Sequence, residues 1–112
     1  MITVNGVELE FDIWDYDTAG RADAAQKVYQ GHVSTAVGLQ ETIKEQCDMA
    51  RRFFDALFGL GIAEKVFGNV NNLRVCQDAV NAVVASIVEQ TKAMEALQKS
   101  YETLMSEYVA IN

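Results

Sequence analysis

A chain of 112 residues suffices for one domain with one modest core, because a domain of this size buries only about two thirds of the surface it exposes when unfolded. Half of the residues are hydrophobic and 22% are charged, which excludes a disordered chain, and the formal net charge of -7 opposes binding to nucleic acid or to an anionic membrane. No secretory-type segment precedes Cys47 and Cys76 and no apolar run reaches the roughly 18 residues of a membrane span, so the cysteines read as reduced, buried thiols of a cytoplasmic protein.

The first residues alternate with period two. Ile2, Val4, Val7, Leu9, Phe11 and Ile13 are apolar, and Glu8, Glu10 and Asp12 fall between them. Asn5-Gly6 at the centre suits the positive φ angles of a type I′ turn, which pairs Val4 with Val7 and Ile2 with Leu9. The spacing therefore predicts a β-hairpin within residues 1–14. Its second strand outruns its first, so Phe11 and Ile13 require cover from a helix of the same chain or from a neighbouring subunit.

Residues 15–58 read as helical, with Asp15, Asp17 and Thr18 as cap and first-turn candidates. A stripe at spacings of three and four runs through Ala22, Ala25, Tyr29, His32, Ala36, Leu39, Ile43, Gln46, Ala50, Phe53 and Leu57. Gly31 and Gly38 interrupt it, each costing about 1 kcal/mol relative to Ala in a helix interior, so a kink or break is expected there. Residues 59–72 form a Gly/Asn-rich turn holding a short helix closed by Gly68.

From Leu73 the heptad spacing resumes without a slip: Leu73, Cys76, Val80, Val83, Ile87, Gln90, Met94, Leu97, Tyr101, Leu104, Tyr108 and Ile111. Gln90 is polar. A helix over 73–110 at 1.5 Å per residue would be roughly 57 Å long. With Leu73 at position a, the g positions are Ala79, Ser86, Ala93, Ser100 and Glu107, and the e positions are Gln77, Val84, Thr91, Gln98 and Met105. The opposed charges of a parallel coiled coil are nearly absent, and antiparallel packing against the first stripe is the economical arrangement. The fold class is thus mainly α, a long-helix bundle or helical hairpin with a short N-terminal β-hairpin, in a single domain over 1–112.

Catalytic chemistry finds little support. His32 is the one histidine, it lies on the inward stripe, and no nucleophile motif accompanies it. Asp15, Asp17 and Gly20 imitate the start of a calcium loop, but Ala19 and Gln26 occupy positions where that loop needs oxygen ligands. Neither a zinc spacing nor a phosphate loop is present, so no enzyme activity, metal or other cofactor is expected. Apolar mass remains: Phe53, Phe54, Leu57, Phe58, Ile62, Val66 and Phe67 crowd the turn, and Trp14 and Tyr16 sit at the strand-to-helix junction. These side chains either close the ends of the bundle or form a patch for a partner or a second copy of the chain. The partner-binding candidates are Phe11, Ile13, Trp14, Tyr16, Phe54, Phe58, Ile62 and Phe67.

Two stretches, ITVNGVELEFDIWD over residues 2–15 and FFDALFGLGIAEKVFG over residues 53–68, resemble small proteins of the tail modules of phages and prophages of Gram-positive bacteria, a group that looks like tail-assembly chaperones. The resemblance implies a non-enzymatic protein of the host-cell cytoplasm, often oligomeric, that coats the tape-measure protein and recruits tail-tube subunits. Negative charge and adaptable methionines at 49, 94 and 105 suit such a role. An inhibitor of a host defence protein and a structural virion accessory protein are the alternatives. An inhibitor that imitates a polyanion would gather its carboxylates on one face, whereas here they alternate with Lys and Arg along the last helix.

Overall fold

The computed structural model describes residues 1–111. Its opening hairpin pairs β1 (Ile2–Val4) antiparallel with β2 (Val7–Leu9), in the register Ile2 with Leu9 and Val4 with Val7. Asn5 and Gly6 take φ of 50° and 79°, the left-handed pair that a type I′ turn demands and that Asn-Gly supplies at little cost. The amide of Asn5 also donates to the carbonyl of Val66 at 3.1 Å, which pins the hairpin tip to the chain's midpoint. Val4 and Leu9 face inward and are buried.

The second strand ends at Leu9, so the longer strand expected to reach Ile13 does not form. Instead the chain turns. The Asp12 carboxylate accepts the N–H of Trp14 at 3.0 Å and its carbonyl accepts that of Asp15 at 3.1 Å. Helix α1 (Tyr16–Gln26) follows, with Asp15 as the extended residue before it and the Thr18 hydroxyl directed at the Asp15 carboxylate.

The expected break is real and wide. Connection 27–37 separates α1 from α2 (Gly38–Phe58), and Gly31 and Gly38 have φ of 69° and 84°, values that a helix interior does not tolerate. As a result the stripe dissolves over its middle third: His32 and Leu39 are exposed rather than inward-facing, and Ala36 is half-buried in the connection. Glu41 restrains the entry to α2 by accepting the N–H of Val37 at 3.0 Å. At the far end Gly59 closes α2 with a bond to the Asp55 carbonyl, and the Asp55 carboxylate then accepts the N–H of Ala63 in α3 (Ile62–Phe67) at 2.9 Å.

Asn72 starts α4 (Leu73–Ile111) by accepting the N–H of Val75 at 3.2 Å. The core lies between α2, α3, the hairpin and the first third of α4, around Phe54, Leu57, Cys47, Cys76 and Val83. Edge-on rings fill it: Phe54 meets Phe67 at 5.1 Å and 85°, and Phe11 meets Phe58 at 5.4 Å and 82°. Arg51 bridges α2 to the α4 approach, donating to the Val70 carbonyl at 2.8 Å while its guanidinium lies 5.6 Å from the Phe67 ring centre.

The antiparallel packing expected for α4 against the first stripe does not form: Cys76 meets Cys47, Ala50 lies with Cys76 and Val80, and Phe53 with Val80, Val84 and Ile87, so α4 begins alongside α2 in the same direction, and only that beginning is covered. Cys76, Ala79 and Val83 are buried, Val80 and Ile87 are half-buried, and every residue over 95–111 is exposed. Helix α2 spans 21 residues against 39 for α4, and therefore runs out before the seam does. The molecule is accordingly long, 66 × 30 × 21 Å, with a head and a helical arm. Among the described residues no helix is long and apolar enough to cross a membrane.

Candidate functional site

Two apolar features stand at the surface, and α4 carries both. The first is an open groove of about 630 Å³ between α1 and α4. Ile13, Ala19 and Ala22 form one wall, Val80, Val84, Ile87 and Met94 the other, and Tyr29 with Phe53 the floor. Small residues on α1 keep that helix thin on this side, which leaves the groove open. Tyr29 is held edge-on against Phe53 at 5.8 Å, and its partial burial raises the pKa of its phenol, with Cys76 adding to the rise and Arg52 opposing it. Asp23, Gln26 and Thr91 supply the polar rim.

The wall nearest the hairpin is fixed by a single polar contact. The N–H of Ile13 donates to Oε1 of Gln90, whose Nε2 in turn donates to the hydroxyl of Ser86 at 3.2 Å. Gln90 is the polar interruption of the α4 seam, and the break in hydrophobicity is what holds the chain segment after β2 onto the helix.

The second feature is the seam itself beyond the groove. Leu97 is 55% exposed, Leu104 63% and Ile111 83%, and Tyr101, Met105 and Tyr108 are exposed between them. Met94 belongs to both features, so groove and seam form one continuous apolar track.

The eight residues expected to bind a partner separate into three groups. Phe54, Phe67 and Ile13 are buried and close the head, and Phe11, Phe58 and Ile62 are half-buried against it. Of the two readings of the aromatic cluster, closure of the bundle end is therefore the one the packing follows: β2 stops at Leu9, and Phe11 turns onto Phe58. Trp14 and Tyr16 stand at the surface, Tyr16 at 90% exposure. Ile13 alone of the eight lines the groove.

His32 lies in connection 27–37, where its Nε2 is 2.7 Å from Oε1 of Glu45. Ser34 donates to the other Glu45 oxygen at 3.2 Å, and these two bonds, that from His32 first, hold the Glu45 carboxyl below the ordinary carboxylate range. The arrangement ties a loop to α2. Between α2 and α4, Cys47 and Cys76 are free thiols. Burial first, and then the hydrogen bond to Cys47, push the Cys76 thiol up, away from the reactive thiolate.

The architecture is that of a small, mainly α protein with a hairpin-bearing head and an exposed apolar helical arm. The chain belongs to a family of unknown function, DUF6673, whose match covers residues 5–110 and so takes in the hairpin from its turn onward, the helices of the head and the arm. No curated protein and no solved structure matches the chain.

Proposed function

We propose that the protein is a non-enzymatic assembly chaperone that receives an apolar helical segment of a client in the groove between α1 and α4. The observation that carries this reading is the groove itself: about 630 Å³, walled by aliphatic side chains with a polar rim, and continuous at Met94 with the exposed seam. An amphipathic helix laid along such a track buries its apolar face at spacings of three and four residues. The net charge of -7 keeps the loaded protein from aggregating.

Together with the resemblance of residues 2–15 and 53–68 to phage tail-module proteins, this reading makes the tape-measure protein the proposed client, the host-cell cytoplasm the proposed location and tail morphogenesis the proposed process. Val84 is the residue to change, because it lines the groove and is 40% exposed, so a charge there spares the core. Coexpression with the tape-measure protein encoded alongside should give a soluble complex with wild type and an insoluble client with Val84→Glu. A client that stays soluble with Val84→Glu removes the groove from the proposal; one that wild type never keeps soluble removes the chaperone role.

A further inference from the structure

We infer that the segment received by the groove between α1 and α4 is an amphipathic helix whose apolar stripe is flanked by lysine or arginine, and that Asp23 selects it. The inference rests on the reading of the groove as the client site and adds the charge that the client must carry. It starts from the groove-facing side of α1. Counted from Ala19, Ala22, Asp23 and Gln26 follow at three, four and seven positions, which is one face of a helix, so a single carboxylate stands at the lip of an otherwise neutral wall. The α4 wall opposite is uncharged. Among the described residues Asp23 is the only charged side chain that lines the groove.

That carboxylate is uncommitted. Among the described residues no ion pair or hydrogen bond engages it, and Lys27, at the four-residue spacing where helix pairs meet, is not bonded to it. Arg52 acts on Tyr29 from the α2 side but does not line the groove. Asp23 is exposed, so water solvates it while the groove is open. An apolar helix lying there would strip part of that water, a loss that is offset only when the client brings a cation to the same place. A glutamate in the client would add repulsion instead. One residue thus favours one class of segment and rejects another. Past Met94 the sign continues, because the shallow hollow on the arm sets Glu95 and Glu102 against Lys99.

Three model peptides of about 18 residues test the selection, sharing a leucine stripe at spacings of three and four and carrying lysine, glutamine or glutamate along its edges. Binding is read by fluorescence anisotropy of the labelled peptide at low and high salt. The lysine peptide should bind at least about fivefold more tightly than the glutamate peptide at low salt, and the margin should shrink at high salt. Asp23→Lys should abolish or reverse that preference. Glu64→Lys, an exposed reversal on α3 that changes the net charge of -7 by the same amount, should leave it in place. Continued protection of Cys47 and Cys76 from a thiol reagent verifies that both variants keep the head folded. The glutamine peptide reads the groove alone, and its binding should be lost in Val84→Glu. If it binds while the lysine and glutamate peptides bind equally, or if Asp23→Lys and Glu64→Lys shift the preference alike, selection by Asp23 is overturned and the groove stands. If no peptide binds, or if Val84→Glu takes up the glutamine peptide as wild type does, both readings fall.

Discussion

Gln90 reaches across 77 positions of sequence to accept the backbone N–H of Ile13 at 3.0 Å. A lone polar residue in an apolar seam thus decides where the segment after the hairpin lies, and with it one wall of the groove. Gln90→Leu fills the same volume but leaves that N–H without its acceptor. We predict a loss of about 1–2 kcal/mol with an unchanged urea m-value, against less than about 0.5 kcal/mol for Lys92→Asp on the exposed side of the same helix. Faster exchange of the Ile13 amide in Gln90→Leu would locate the effect.

The heptad pattern assigns Val83 and Leu97 equal weight, and the fold does not. Val83 is fully buried, whereas Leu97 is 55% exposed. Val83→Asp places an unpaired carboxylate in the core and should cost at least about 3 kcal/mol, enough to unfold much of the population of a marginally stable domain. Leu97→Asp should leave the folded head intact. Equal loss of helix signal in the two variants at low protein concentration would contradict this division.

The two thiols provide a probe of global opening. Both are buried and the Cys76 thiol holds its proton more tightly than a free cysteine, so neither should react with a thiol reagent until the head unfolds. The sign of the linked pH effect follows: a thiol whose folded pKa is raised contributes stability that is present below its ordinary value of 9.0 and lost as pH rises above it. Tyr29, also raised, acts in the same direction above 10.0. Cys76→Ala should flatten the alkaline limb of a stability-versus-pH curve while lowering its plateau.

Glu45 acts at the other end of the scale. Its carboxyl is held below the ordinary value of 4.5 by His32 and Ser34, so its contribution is present above that value and is lost as pH falls through the lower folded pKa. Glu45→Gln should erase this part of the acid limb and release connection 27–37, seen as faster amide exchange at residues 32–36. Unchanged exchange there would show that the loop is held by other contacts.

The parts of the fold that local chemistry determines were legible from the residues. Asn5-Gly6 specifies the turn and therefore the register of the hairpin, Gly31 falls inside a real interruption and Gly38 at its end, and Asn72 starts the long helix. What depends on relative lengths was not. A heptad seam records that something should cover it but not what does, and only the short reach of α2 reveals that 95–111 lies outside the head. The aromatic cluster misled for a related reason. Composition counts rings but does not show that β2 ends early enough for Phe11 to turn onto Phe58. His32 followed its neighbours onto a helical stripe that the glycines abolish. The groove could have been sought in the small side chains at Ala19 and Ala22, although without the gap left between α1 and α4 they look like ordinary helix formers.

The arm of α4 has a consequence for how the molecule melts. Seventeen residues of helix without tertiary cover, 95–111, are near the length at which a helix is only marginally stable in water, whereas the first third of α4 is as stable as the core it joins. One continuous helix is therefore two cooperative units joined end to end. In dilute solution amide protection should decline along α4 past Thr91, from values set by global unfolding to values set by fraying.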